Sequence, residues 1–97
     1  MLYDPELALK RGADYLKQHG WSNRSTAHDP HGRVCIVAAV NNANMEVTES
    51  VKRDAFELLY RSLKKWPFVW NDTVCKTEEQ AVAALRGAAR VALKADK

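Results

Sequence analysis

Apolar residues recur at three- and four-residue steps in three long segments of the chain, which predicts three amphipathic helices. The first of them, helix A, begins at Asp4, Pro5 and Glu6. The N-cap residue is followed there by a proline suited to the first turn and then by an acidic residue. Helix A ends at His19 and Gly20, because glycine readily takes the left-handed conformation that closes helices.

The second amphipathic segment, helix C, begins near Thr48 or Ser50, and either hydroxyl can cap it. We expect it to continue to Trp66, since Pro67 disfavours helical backbone in the residue before it. Residues 68–70 then form a short apolar connector that has to be buried or paired. The predicted stripe of helix C consists of Val51, Ala55, Leu58, Leu59, Ser62, Leu63 and Trp66.

The third segment, helix D, has the clearest start. Thr77 and Gln80 have the spacing of a capping box, in which the threonine accepts from the backbone of Gln80 and the glutamine side chain reaches back. An alanine-rich apolar face follows. Gly87 weakens this helix by roughly 1 kcal/mol relative to alanine, so its presence predicts close packing against another helix.

Residues 34–40 form an apolar run that fits either a buried strand or a short buried helix, and periodicity alone does not decide between them. The chain shows no second strand pattern with which a strand could pair. We therefore predict a short helix B over about residues 34–44.

Together these elements predict an all-α fold, a compact four-helix domain with three amphipathic helices around one short buried helix. Residues 1–97 are too few for a second domain. Trp21, the one large apolar residue of the polar segment 21–32, is expected to fold back onto the core. Such a core leaves no cleft for chemistry.

Charge and hydropathy exclude some environments. The net charge of +3 is only mildly basic, so a nucleic-acid partner is permitted but not indicated. No apolar run approaches the ~18 residues of a membrane span, and no secretory signal is recognisable. We expect a cytoplasmic protein with no membrane partner, in which both cysteines are reduced.

Four side chains are candidates for a metal site. His28, His31 and Cys35 are three and four residues apart, Cys75 could join them, and imidazole with thiolate suits Zn²⁺. The spacing matches no standard zinc motif, however, and a cysteine within an apolar run behaves as a small core residue. Cysteine catalysis is disfavoured for the same reason, because burial raises the pKa of a thiol. We expect no metal and no cofactor.

Two other groups are candidates for recognition. Trp70, Asn71 and Asp72 form either an interaction patch or, as we favour, a plug in the core with two turn-forming polar residues. The second group is a basic ridge at four-residue steps on helix D, which could contact phosphates. It consists of Arg86, Arg90 and Lys94.

Several short motifs follow one another in a fixed order along the chain. They are Gly20-Trp21, then Asp29, Gly32, Arg33, Cys35 and Ala39, then Trp70-Asn71-Asp72, then Thr77 and Glu79. In the order and spacing of these motifs the chain resembles a family of uncharacterised small proteins from actinobacteria and their bacteriophages. The resemblance covers most of the chain and implies a helical fold and a phage or actinobacterial origin, but no activity. It also favours a helix over a strand after residue 35.

The expected function is that of a small non-enzymatic interaction protein that binds a host protein or self-associates as a homodimer. No acid–base pair, nucleophile elbow or phosphate-binding loop is visible, so an enzyme is the least favoured class. The alternative is a small basic DNA- or RNA-binding protein that uses the C-terminal helices. The salt dependence of binding distinguishes the two functions, because contacts to phosphate weaken steeply as the salt concentration rises.

Overall fold

In a computed structural model, which describes residues 4–22 and 32–95 with side chains as far as residue 90, the chain is helical. The all-α prediction is confirmed, but the described residues form five helices rather than four. None of these helices is long and apolar enough to cross a bilayer. The helices are α1 (Pro5–His19), α2 (Ile36–Ala43), α3 (Glu49–Leu63), α4 (Pro67–Thr73) and α5 (Glu78–Ala95).

Helix α1 lies at the centre of the fold and packs against α5, α2 and α3. Its predicted ends are confirmed. The Asp4 carboxylate accepts from the backbone N–H of Leu7 at 2.8 Å, and Gly20, with a φ of 91°, donates its N–H to the Leu16 carbonyl. The face that enters the core consists of Ala8, Leu9, Ala13 and Leu16, all fully buried.

Helix α2 confirms the prediction of a helix rather than a strand after residue 35. Cys35 caps it, its Sγ accepting from the N–H of Ala38 at 3.4 Å. The prediction that three amphipathic helices enclose it is corrected: α2 packs mainly on α1, touches α3 and α4 less, and exposes Asn41 and Asn42. Its far end is tied to α1 by the buried Asn44, which donates to the Ala8 carbonyl at 3.0 Å.

Helix α3 ends at Leu63, three residues before the predicted end at Trp66. Lys64 adopts the left-handed conformation, with a φ of 59°, and its N–H closes the helix on the Tyr60 carbonyl at 2.7 Å. Trp66 then has the extended ψ of 135° that the following Pro67 favours. The proline was therefore the right stop signal, but the helix ends earlier because Lys64 acts as its cap.

Replacing Lys64 by glycine is expected to stabilise the protein by roughly 0.5–1 kcal/mol, because glycine takes a positive φ without steric cost. Lys65 supplies a matched control. It is equally exposed but has no positive φ, so Lys65→Gly should destabilise slightly or have no effect. Urea denaturation followed by circular dichroism measures both. Equal effects of the two substitutions would contradict strain at Lys64.

Helix α4 corrects the prediction of an apolar connector over residues 68–70. Pro67 occupies its first turn, where its missing N–H costs nothing. The helix buries only part of the apolar run. Phe68 and Val69 are 49% and 42% exposed, whereas Trp70 packs against the core.

Helix α5 confirms half of the predicted capping box. Thr77 Oγ1 accepts from the Gln80 N–H at 3.2 Å, but the Gln80 side chain accepts from the N–H of Lys76, not from that of Thr77. The prediction for Gly87 is wrong, since no side chain or neighbouring helix lies within 4 Å of a Cβ placed there. The close approach of two helices occurs instead at Gly12, against Val40 of α2.

Candidate functional site

An open apolar groove lies between α2, α3 and the start of α4. Its volume is about 650 Å³, which is within the range of pockets that bind small molecules or side chains. A groove of this kind was not expected from the sequence, and its presence corrects the prediction that the domain has no cleft. The residues that line it are Val37, Arg53, Phe56, Glu57, Tyr60, Trp66, Pro67 and Phe68.

The groove exists because the chain turns sharply between α3 and α4. Phe56 and Tyr60 are four residues apart and therefore share one face of α3. The left-handed Lys64 ends α3 and reverses the chain, so that Trp66 comes back against Tyr60 with 4.7 Å between their ring centroids. Phe68, on the first turn of α4, completes this side of the groove.

Large apolar side chains of the groove are open to solvent. Trp66 is 61% exposed, Phe68 is 49% exposed and Tyr60 is 39% exposed. Val37 and Phe56 are half-buried and pack against the core. Contiguous exposed apolar surface on a small protein is typical of interaction sites, since water at such surface is better replaced by a partner.

The charged side chains of the groove are a cation and an anion one turn apart on α3. Glu57 accepts a charge-assisted hydrogen bond from Arg61 at 2.9 Å. Arg53 is exposed and forms no ion pair with any residue among 4–22 and 32–90. The groove can thus hold apolar side chains and one carboxylate.

A family model matches residues 3–91, which is most of the chain. The chain belongs to DUF6197, a family of unknown function. No curated protein matches the chain, and no solved structure matches it either. Membership confirms the expectation of an uncharacterised family, and the activity of this DUF6197 chain therefore has to be argued from its own residues.

In this DUF6197 chain the predicted recognition segment is divided between core and surface. Asn71 is fully buried and Trp70 is half-buried, whereas Asp72 is exposed. Asn71 Oδ1 accepts from the indole Nε1 of Trp21 at 2.7 Å and from the backbone N–H of Ile36 at 3.1 Å. A side chain held in this way connects α4 to the rest of the fold and is not accessible to a partner.

The third hydrogen-bonding partner of Asn71 is the backbone next to Trp21. Asn71 Nδ2 donates to the carbonyl of Ser22 at 3.1 Å, and the same short segment pairs with residue 34 through the Ser22 N–H and the Val34 carbonyl at 2.9 Å. Trp21 folds back onto the core, as predicted. One buried amide thus holds the segment at residues 21–22, the start of α2 and α4 together.

Two of the four metal candidates, His28 and His31, lie outside the described residues. Cys35 and Cys75 are free thiols and buried. Each has a local role, because Cys35 caps α2 and Cys75 Sγ donates to the Thr77 carbonyl at 3.2 Å. Among the residues that the structure describes, no three histidine, cysteine or acidic side chains come together as an ion site.

Burial raises the pKa of the Cys75 thiol above its ordinary value. The hydrogen bond to the Thr77 backbone lowers that pKa and offsets part of the rise. The thiolate is the reactive form of cysteine. Cys75 is therefore poorly suited to act as a nucleophile at neutral pH.

The predicted basic ridge lies away from the groove residues of the DUF6197 fold, where α5 packs against α1. Arg86 and Arg90 are exposed, and Arg86 forms an ion pair with Asp14 of α1 at 3.5 Å. Lys94 is in α5, but its side chain is not among those described. Lys17 joins Arg86 and Arg90 around one shallow depression, which Glu78 and Glu79 also line.

The groove was missed because its residues do not belong to one periodic pattern. One signal was present: Phe56 and Tyr60 form an apolar pair on α3 outside the predicted stripe through Val51, Ala55 and Leu59. A second apolar face on an amphipathic helix indicates a second contact. Nothing in the sequence showed that Trp66 and Phe68 would stand beside that pair.

Proposed function

We propose that this protein is a non-enzymatic interaction protein that binds another protein through the groove between α2, α3 and α4. The observation that carries the proposal is the exposure of Tyr60, Trp66 and Phe68 side by side. Aromatic residues at the centre of an interface contribute most of the binding energy in typical complexes. Tyr60 and Phe68 are on helices, and Trp66 is the N-cap residue of α4, so little ordering is needed when a partner binds.

The chemistry of the groove supports binding rather than catalysis. Its lining side chains offer one guanidinium, one carboxylate engaged by Arg61 and one phenol. General acid–base catalysis needs groups whose pKa lies near the working pH, and nucleophilic catalysis needs a nucleophile next to a base. Neither arrangement is present among the lining residues.

The setting of this function is part of the proposal. On the strength of the motif resemblance, we place the protein in the cytoplasm of an actinobacterium or of a cell infected by one of its phages. The partner is then a host protein. Self-association as a homodimer through the same groove is the other form of the proposal.

Affinity capture with matched variants tests the proposal. Immobilised protein should retain a specific partner from host lysate, and the isolated partner should bind Trp66→Ala at least about tenfold more weakly, because a central aromatic anchor is lost. Met45→Ala is the control, since Met45 is 68% exposed but lies outside the groove. Equal binding by both variants would refute a role for the groove. Sedimentation of the protein alone at several concentrations identifies self-association.

Nucleic-acid binding is the second candidate, favoured by the clustering of Lys17, Arg86 and Arg90 on adjoining helices. The acids beside them and the Arg86–Asp14 ion pair weaken the attraction for phosphate. In this alternative, the affinity for a DNA or RNA duplex falls steeply with salt and is lost in the double variant Arg86→Ala, Arg90→Ala. Binding through the apolar groove weakens less with salt and is unaffected by that variant.

A further inference from the structure

Arg53 is a positively charged residue that lines the groove. It is exposed and has no ion-pair partner among residues 4–22 and 32–90, whereas Glu57, one turn further along α3, is bound by Arg61. A guanidinium offers a planar set of donors that matches a carboxylate. Next to an apolar groove, such a group recognises a partner that carries an acid beside its apolar side chains.

The rest of the charge around the groove has the same sign. Lys64 and Lys65 are exposed and immediately precede Trp66 in the chain, and α2 carries no charged residue at all. Of the acids nearby, Glu57 lines the groove but is paired with Arg61. Asp54 lines a different depression beside Pro5, and Asp72 accepts a hydrogen bond from the Asn71 amide.

This distribution favours one occupant over another. A second copy of the chain would bring its own Arg53, Lys64 and Lys65 towards the same cations, and like charges across an interface are costly. An acidic partner meets complementary charge. The surplus of positive charge thus argues for a different protein and against a homodimer through this face.

The shape of the groove indicates the conformation of that occupant. Side chains of helices line it, and it presents no strand edge among the described residues, so an extended segment would find no backbone groups to pair with. A helix satisfies its own backbone hydrogen bonds. The part of α3 that lines the groove, from Arg53 to Tyr60, is about 10 Å long. A partner helix lying alongside it would contact it over about two turns.

We infer that the groove binds an acidic amphipathic helix of a partner protein, with bulky apolar side chains inserted between Phe56, Tyr60, Trp66 and Phe68 and a carboxylate on Arg53. The inference rests on the proposed function and names the class of its partner. The apolar side chains supply affinity, and the carboxylate selects the sequence and orientation of the helix.

A display library of amphipathic helical peptides, with bulky apolar residues at helical spacing and randomised flanking positions, is the probe. Selection on the wild-type protein should enrich aspartate and glutamate at the flanks. Arg53→Glu should weaken the selected peptides by about tenfold, and selection on that variant should enrich lysine and arginine instead. Arg90→Glu is the control, because it changes the net charge equally on a face that does not line the groove.

Peptides without an acidic bias, or with equal affinity for Arg53→Glu and wild type, would overturn the inference. A dimer in sedimentation that Trp66→Ala converts to a monomer would also overturn it, since a second copy would then occupy the groove. The proposed function fails separately, when neither the isolated partner nor any selected peptide is sensitive to Trp66→Ala. If Trp66→Ala loses the partner but the selected peptides show no acidic bias, the proposed function is supported. Only the inference of an acidic helix is then overturned.

Discussion

Replacing Asn71 by alanine is expected to destabilise the protein by about 3–5 kcal/mol, a large share of the 5–15 kcal/mol that holds a typical domain together. The substitution leaves the Ile36 N–H and the Ser22 carbonyl without their buried partner, and the Trp21 indole loses its acceptor. Each unsatisfied buried group costs about 1–3 kcal/mol. Urea denaturation followed by circular dichroism measures the loss, or shows that the variant no longer folds.

Two further variants separate this network from a general effect of losing an amide. Trp21→Phe removes the indole N–H together with the five-membered part of the ring, but it leaves Ile36 and Ser22 bonded to Asn71, so it should cost less than Asn71→Ala. Asn42→Ala removes an exposed amide from α2, and its effect should stay within about 0.5 kcal/mol. The network would not be a major source of stability if Asn71→Ala and Asn42→Ala unfolded at the same urea concentration.

Gly12→Ala and Gly87→Ala are expected to change stability in opposite directions, although both place alanine inside a helix. A Cβ at Gly12 would lie 2.8 Å from Val40 Cγ2 and 3.1 Å from the Val40 Cα. Because the second contact is with backbone, α1 and α2 have to move apart. Overpacking of this kind costs about 1–3 kcal/mol, which exceeds the ~1 kcal/mol that alanine gains over glycine in a helix.

At Gly87 nothing opposes that gain, since no side chain or neighbouring helix lies within 4 Å of the new methyl group. Gly87→Ala should therefore raise the free energy of unfolding by up to about 1 kcal/mol. Thermal and urea denaturation of both variants, measured side by side, give the sign. A Gly12→Ala protein as stable as wild type would show that separating α1 from α2 costs no more than the ~1 kcal/mol that alanine gains in a helix. Val40→Ala removes the nearest atom, so it should destabilise the Gly12→Ala protein less than it destabilises the wild type.

The positions of the groove-lining residues along the chain show why the groove was not predictable. The sequence contains Phe56 and Tyr60 on one helix and Phe68 on what was predicted to be a connector. Their assembly depends on one backbone conformation, the left-handed Lys64. Lysine rarely takes a positive φ, so no propensity argument places a turn at that residue.

Asn71 was singled out from the sequence, but its role was only half anticipated. A structural role for the segment around it was favoured on the expectation that its polar side chains would bond to backbone nearby. Instead, Asn71 bonds to residues 35, 49 and 50 positions away. Partners that distant along the chain are set by how the helices pack and leave no local pattern in the sequence.

The sequence by itself determined the all-α class, both ends of α1 and the start of α5, because caps, glycine and helical periodicity act within a few residues of one another. Only the tertiary structure decided that Gly12, not Gly87, is where two helices meet, and that α3 stops at Leu63. It also decided that Tyr60, Trp66 and Phe68 would border one groove. The physical reason is the same in each case: these features depend on distances between segments far apart in the chain, and local propensity does not encode them.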